Sequence, residues 1–108
     1  GKNWVHSPMH QYSAGFPSQS VEKHFLKELS HLDKPTLTRI RQGIDGLADN
    51  PRPEGKKIKS LRPPLAIYSL AATHRLRIGD YRILYDIDDF AKRVILLAIR
   101  RRSEKTYR

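Results

Sequence analysis

The sequence predicts an α+β domain in which a helical hairpin packs on one face of an antiparallel sheet. Two segments with helical periodicity, separated by a short loop, occupy most of the first half of the chain. Three segments with strand patterns and turn signals follow in the second half. With a short strand before the helices, the expected order is strand, helix, helix, strand, strand, strand. A chain of 108 residues has the length of one domain.

Residues 1–9 show no hydrophobic periodicity, and we interpret them as a flexible extension or a cloning remnant. The domain is therefore expected to cover residues 10–108. Its first strand is predicted over residues 10–16, with Tyr12 and Phe16 as the apolar positions.

Two amphipathic helices follow, joined by a loop of a few residues. The first begins near Ser20. Asp33-Lys34-Pro35 ends it and starts the second, because proline is tolerated in the first turn of a helix. The prolines between Asn50 and Gly55 stop the second helix. The apolar faces, which we expect to enter the core, consist of Val21, Phe25, Leu26, Leu29 and Leu32 in the first helix and Leu37, Ile40, Ile44 and Leu47 in the second.

A tight hairpin is predicted around Gly79-Asp80. Residues 74–78 and 81–87, on either side of this pair, alternate in the manner of strands. A two-residue loop with glycine in first place favours a type II′ turn. This register places Ile78 opposite Tyr81.

Val94 to Ile99 is a continuous apolar run, which is typical of a central strand covered on both faces but also of a buried helix. Its short length and the turn at residues 88–91 favour the strand. Residues 56–61 and 65–72 are expected to connect the two halves. The second of these stretches is apolar enough to extend the next strand upstream, and Pro63-Pro64 limits where that strand begins.

The charge of the chain is concentrated in its second half. The formal net charge is +10, and residues 55–108 carry +9 of it. This asymmetry indicates an anionic partner, most often nucleic acid. The alternatives are a protein that is simply basic and one whose basic face is covered by an acidic protein.

Several protein classes are excluded or disfavoured. The chain has no cysteine, no apolar run of the ~18 residues that a spanning helix needs, and no signal-peptide pattern at its start. We therefore expect a cytoplasmic protein without membrane contact. The five histidines lack metal-ligand spacing, and neither a glycine-rich phosphate loop nor an acyl-transfer triad is present, so no cofactor is expected.

Arginines on the predicted hairpin point to function. The two-residue turn places Arg77 directly opposite Arg82, and Arg75 lies on the same face two residues along. Like charges facing each other across a ladder destabilise it, whereas a bound anion would remove the repulsion. The structural alternative is that an arginine bends outward, stacks on an aromatic ring, or pairs with Asp80 or Asp86.

The chain ends on a second basic segment that follows the predicted central strand. Arginine donates paired hydrogen bonds to phosphate, and a tyrosine ring can stack on an unpaired base. Such a composition is typical of an RNA-contacting surface. The segment contains Arg100, Arg101, Arg102, Lys105 and Tyr107.

The sequence of residues 74–89 closely resembles the core hairpin of the RelE/ParE superfamily of bacterial and archaeal toxins. Asn50-Pro51-Arg52-Pro53 and residues 57–61 are similar to the linker of that family, and residues 100–107 are similar to its closing segment. The two helices also match in order and length, so the resemblance covers residues 10–108.

The resemblance implies a toxin of a type II toxin–antitoxin module, with a small antitoxin whose acidic or amphipathic segment lies over the basic face. RelE-like members are metal-independent endoribonucleases that cut mRNA on the ribosome. Carried over by position, the catalytic residues are Arg75, Arg77, Arg82, Arg100, Arg102 and Tyr107. Lys57, Lys59, Arg101 and Lys105 are assigned to RNA binding.

The sequence departs from the family pattern at Arg75 and Arg77, where lysines are usual and one lysine has been assigned as the general base. Arginine stays protonated in proteins and is a poor base, although it can stabilise charge on a phosphate. The base would then come from His74, which is expected on the opposite face, from Lys57 or Lys59 in the linker, or from the tail tyrosine.

Two alternatives remain open at this point. One is a ParE-like toxin that binds DNA gyrase and cuts nothing. The other is a decayed member that only binds its antitoxin.

Overall fold

The computed structural model describes residues 11–55, 57–67 and 69–101. The predictions for residues 1–9 and for Arg102, Lys105 and Tyr107 lie outside these ranges. The helices and strands are β1 (Ser13–Gly15), α1 (Gln19–Leu29), α2 (Lys34–Asp49), β2 (Ile58–Ile67), β3 (Leu70–Ile78), β4 (Tyr81–Asp88) and β5 (Arg93–Arg101).

The strands form a five-stranded sheet in the order β1-β5-β4-β3-β2. β1 runs parallel to β5, and the other pairs are antiparallel. The helices cover one face of this sheet, so the predicted α+β class with a helical hairpin on one face is confirmed. We call the other face the open face.

β2 differs from the prediction, in which this part of the chain connects the two halves. β2 is an edge strand that pairs with β3 at residues 58–60 and again at residues 65–67, with a register shift between. Pro63-Pro64 lies inside that shift. Proline has no N–H to donate to a ladder, and an irregular stretch of an edge strand is where a sheet accepts it.

Both helices begin at the predicted signals. The Ser18 hydroxyl caps α1 by accepting a hydrogen bond of 3.2 Å from the amide of Val21, and Pro35 occupies the first turn of α2. One predicted core position is wrong, because Leu26 is 48% exposed whereas Phe25 is 2% exposed. Neither helix of the described residues is long and apolar enough to cross a bilayer.

The sheet carries an apolar cluster on each face. On the helix side, α1 and α2 pack against β3, β4 and β5; on the open face, the far end of the β2–β3 hairpin covers part of β4 and β5. The open-face cluster is small and leaves the end of the sheet near the β3–β4 turn uncovered. It consists of Ile67, Ala72, Leu84, Leu97 and Ala98.

The β3–β4 hairpin has the predicted register, with Ile78 opposite Tyr81 and Arg77 opposite Arg82. Gly79 adopts a φ of +57°, whereas Asp80 is not among the residues with positive φ. A positive φ at the first loop position alone is the mark of a type II′ turn, so that prediction is confirmed.

β5 contains a one-residue irregularity that changes which way its side chains point. Tyr85 pairs with Leu96, but the preceding residue of β4, Leu84, pairs with Ala98, so Leu97 is the extra residue of a bulge. Beyond the bulge, Arg100 pairs with Arg82 and points to the open face.

A polar cluster fastens the linker after α2 to the sheet. The Arg52 guanidinium makes two hydrogen bonds to the Asp89 carboxylate, at 3.0 and 2.8 Å, and the Tyr12 hydroxyl donates a third at 2.7 Å. The hydrogen bonds from Arg52 and then Tyr12 lower the pKa of Asp89 well below its usual range. The neighbouring Pro51 carbonyl accepts a hydrogen bond of 2.8 Å from the buried Tyr85 hydroxyl.

Replacing Asp89 with asparagine should therefore flatten the acid side of the stability profile. Because the folded-state pKa of Asp89 is depressed, its ionised form favours the folded state above the ordinary carboxyl pKa of about 3.9, and this stabilisation is lost as the pH falls below that value. We expect the stability difference between wild type and Asp89→Asn to shrink between about pH 5 and pH 2. Urea unfolding at several pH values measures it. Asp45→Asn, at an exposed acid of α2, is the control, and an identical profile in both variants would contradict the expectation.

Candidate functional site

Three arginines form a row across the open face near the β3–β4 turn. Arg77 of β3 pairs in register with Arg82 of β4, which pairs in register with Arg100 of β5. Directly paired residues of a sheet point to the same face, about 5 Å apart per strand, so the row spans about 10 Å. We call these three residues the arginine row.

A second cationic pair lies one step along the strands. Arg75 of β3 pairs in register with Lys59 of β2. Both point to the open face, because Arg75 lies two residues before Arg77 on the same strand and side chains alternate along a strand. The residues that continue this pair across β4 and β5 are apolar, because Arg75 pairs with Leu84 and Leu84 pairs with Ala98. The cationic surface thus ends where the open-face cluster begins.

The backbone holds this arrangement in place. The Lys57 carbonyl accepts a hydrogen bond of 2.8 Å from the amide of Arg77 and one of 3.4 Å from Nη1 of Arg75. Nη1 of Arg100 donates to the Ile99 carbonyl at 3.3 Å. Arg82, in the middle of the row, is half-buried, and its Nε atom is buried.

Three nearby carboxylates of the described residues do not pair with the arginine row. Asp86 accepts hydrogen bonds of 2.8 Å from the Thr73 hydroxyl and from the amide of Ile87. Asp80, in the turn, makes no ion pair within the described residues, and Asp89 is held by Arg52. The structural alternative in which Asp80 or Asp86 pairs with these arginines is therefore not what the described part of the chain shows.

His74 lies on the helix side, as expected. Its ring stacks on Tyr85 with the ring centroids 5.5 Å apart, and Nδ1 is 2.9 Å from the Thr73 hydroxyl. Burial, and next the charge of Arg52, lowers the pKa of His74. The ring has no access to the arginine row.

The structure brings five of the predicted site residues to one region of the open face and separates others from them. Arg75, Arg77, Arg82, Arg100 and Lys59 share that face. Lys57 is exposed just before β2.

Two further cations lie apart from these five. Arg101 pairs in register with Tyr81, which packs in the helix-side cluster, and it therefore points to the other face. Arg39 of α2 was not singled out from the sequence, although its guanidinium lies against Gly79. Because Arg39 lies on the polar side of an amphipathic helix, the sequence pattern does not indicate a contact with the β3–β4 turn.

The fold and the site define a small basic α+β domain whose sheet presents a row of arginines on the face that the helices leave open. A family model for the ParE toxin of type II toxin–antitoxin systems, parDE, matches residues 17–106, and the chain belongs to this family, within the RelE/ParE superfamily.

Solved structures with the same fold are similar over most of their length. The archaeal RelE–RelB complex from Pyrococcus horikoshii OT3 contains a chain with 25% identity and a TM-score of 0.66, covering 87% of this chain and 98% of that one. The toxin–antitoxin complex RelBE2 from Mycobacterium tuberculosis contains a chain with 27% identity and a TM-score of 0.61, covering 92% of this chain and 100% of that one. A search of curated proteins by sequence gave no match.

Proposed function

We propose that this toxin is an endoribonuclease that cleaves mRNA on the ribosome and thereby inhibits translation. The observation that carries the proposal is the arginine row, in which Arg77, Arg82 and Arg100 stand in direct register on the sheet face opposite the helices. Guanidinium groups recognise phosphate by paired hydrogen bonds, and a fold gains nothing from like charges in register. The related RelE–RelB and RelBE2 complexes support a cognate antitoxin as the second partner.

The arginine row suits a reaction in which the RNA supplies its own nucleophile. The ribose 2′-oxygen attacks the adjacent phosphorus, the bond from phosphorus to the 5′-oxygen breaks, and a 2′,3′-cyclic phosphate and a free 5′-hydroxyl result. The proton leaves the 2′-hydroxyl for a base, and the 5′-oxygen gains one. Negative charge grows on the phosphoryl oxygens during the attack, and preorganised cations that meet it are a major source of rate acceleration.

The geometry favours Lys59 over His74 as the proton acceptor. Lys59 stands in register with Arg75 on the open face, whereas the stacked ring of His74 lies on the helix side. A lysine amine can exchange a proton, and a guanidinium cannot. The tail tyrosine, Tyr107, stays a prediction.

A second candidate function is inhibition of DNA gyrase without catalysis. The family model that matches this chain is that of ParE toxins, and the positions for which the resemblance implied lysines are Arg75 and Arg77. In this case the arginine row would contact a protein or DNA rather than mRNA. The absence of any change in RNA would distinguish this toxin from a ribonuclease.

A translation extract programmed with a defined mRNA tests both candidates. We expect new 5′ ends within the coding region when the wild-type toxin is added, and no loss of supercoiling by gyrase in a parallel assay. Lys59→Arg keeps the charge but cannot accept the proton, so cleavage should fall by about 10²–10⁴-fold. Lys27→Arg, on an exposed position of α1, should cleave as wild type does. Intact mRNA together with inhibited supercoiling would replace the first candidate by the second.

A further inference from the structure

Cations occur on both sides of the sheet at its β3–β4 turn end, not only on the open face. Arg101 follows Arg100 directly, and successive residues of a strand point to opposite faces. Its register partner Tyr81 packs against the helix-side cluster, so the exposed Arg101 lies on the helix side. β1 pairs with β5 only from Arg93 to Ile95, so it ends well short of Arg101.

Arg39 joins this end of the sheet from α2. The guanidinium lies beside Gly79, because a Cβ built on Gly79 would be in ordinary van der Waals contact with it, 3.4 Å from Nη1 of Arg39 and 3.7 Å from its Cζ. The guanidinium therefore rests on the turn itself. Within the described residues Arg39 makes no ion pair, although Asp80 is the next residue of the turn.

The turn end thus carries a belt of cations, which the Asp80 carboxylate interrupts at the rim. The arginine row lies on the open side, the Gly79-Asp80 turn forms the rim, and Arg39 and Arg101 lie on the helix side. The turn residues and both of these arginines are exposed, so no element of the described residues covers the rim or its helix side. Packing gives no reason for this distribution, since the guanidinium groups repel one another across the rim.

We propose that Arg39 and Arg101 form a second phosphate-contact site, which holds the flanking part of the same RNA strand after it passes from the arginine row around the turn end of the sheet. The proposal rests on the ribonuclease function proposed above and adds the path of the substrate. Half-buried Tyr81 is the register partner of Arg101 and packs against the helix-side cluster beside that path.

The chemistry of the belt favours a polynucleotide over an acidic peptide. A single strand has a charged phosphate at every residue and can follow a curved line of separate cations, as strands do in electropositive grooves. An antitoxin segment that folds on a surface needs apolar area to bury. At the rim, Gly79, Asp80 and Arg39 provide almost none.

Binding of uncleavable RNA of two lengths tests the path. The probes are fluorescent 2′-O-methyl oligonucleotides, which lack the attacking hydroxyl: a trinucleotide that fits the arginine row, and a strand of about nine nucleotides, within the usual site size of single-strand binders. We expect Arg39→Ala to weaken the longer strand several-fold and to reduce its salt dependence by about 0.7 in the slope of log K against log salt, as the loss of one phosphate contact predicts. The trinucleotide should bind as it does to the wild type.

Arg41→Ala is the matched control, because it removes the same charge from an exposed position of the same helix, on the side that lines the groove with α1. It should leave both affinities unchanged, and Arg39→Lys should keep most of the binding of the longer strand. Equal effects of Arg39→Ala and Arg41→Ala, or none from Arg39→Ala, would overturn the path while leaving the ribonuclease proposal intact. If the wild type binds neither probe, the path is overturned, and the ribonuclease proposal is decided by the translation extract. If Arg39→Ala weakens the complex with the purified antitoxin and not the RNA, the surface belongs to the antitoxin and the path is overturned.

Discussion

Replacing Arg82 with alanine is expected to abolish growth arrest while the domain stays folded. Arg82 is the central member of the arginine row and has a like charge in register on each side, Arg77 and Arg100. Its removal therefore takes away a repulsion as well as a contact to phosphate. Loss of one donor that meets developing charge costs about 10²–10³-fold in rate.

Induction of the variant without antitoxin, with colony counts over time, measures the effect. Arg41→Ala, which removes the same charge from α2, should arrest growth as the wild type does. Arg82→Lys separates charge from geometry, since an ammonium is a point charge that cannot form the paired contact. Full growth arrest by a folded Arg82→Ala protein would exclude the arginine row as the site of toxicity.

The largest loss of stability is expected from Phe25→Ala. Phe25 is 2% exposed and meets Phe16 edge to face, with the ring centroids 5.1 Å apart. Removing a buried phenylalanine costs about 3–5 kcal/mol, because the neighbours fill the cavity only in part. Small domains have about 5–15 kcal/mol of stability in total, so this variant should be near the limit of folding.

Leu26→Ala is the adjacent control on the other side of α1. Leu26 is 48% exposed, so its truncation should cost well under about 1 kcal/mol. Urea unfolding followed by far-ultraviolet circular dichroism gives both values. Equal losses for the two variants would mean that α1 does not pack on the sheet with the face described above.

The hairpin that positions the site could be predicted because its signals are local. A glycine in the first place of a two-residue loop fixes the turn type, and the turn type fixes every pair along both strands. Arg75, Arg77 and Arg82 therefore share a face by sequence alone. Helical periodicity likewise located α1 and α2, but neighbouring apolar residues such as Phe25 and Leu26 cannot both face the core, and only packing decides between them.

β2 could not be predicted because a proline pair interrupts it, although it pairs with β3 as a hairpin. Pro63-Pro64 is a signal against a strand, and its acceptance depends on the bulged edge of the sheet that the rest of the chain builds. The position of Lys59 beside Arg75 depends on this strand. In the long connection that the sequence predicts, the position of Lys59 relative to Arg75 is not defined.

The orientation of Arg100 and Arg101 was hidden for another reason. Val94 to Ile99 is apolar throughout, so no alternation shows which residues face the helices. The bulge at Leu97 then exchanges the faces of all residues that follow it. Composition identified the basic segment, but only the three-dimensional pairing assigns one arginine to each side of the sheet.

The extra residue in β5 reverses the alternation by which the side chains of this strand face the helix-side core or the cationic surface. Before Leu97, the even-numbered residues Val94 and Leu96 face the helices. After it, the even-numbered Arg100 faces the open side. A regular ladder that included Leu97 would pair Ile99 with Arg82 and present an isoleucine where the third guanidinium now stands, whereas deletion of Leu97 would keep Arg100 opposite Arg82. The irregularity of the strand, and not its composition, therefore places the third arginine on the open face.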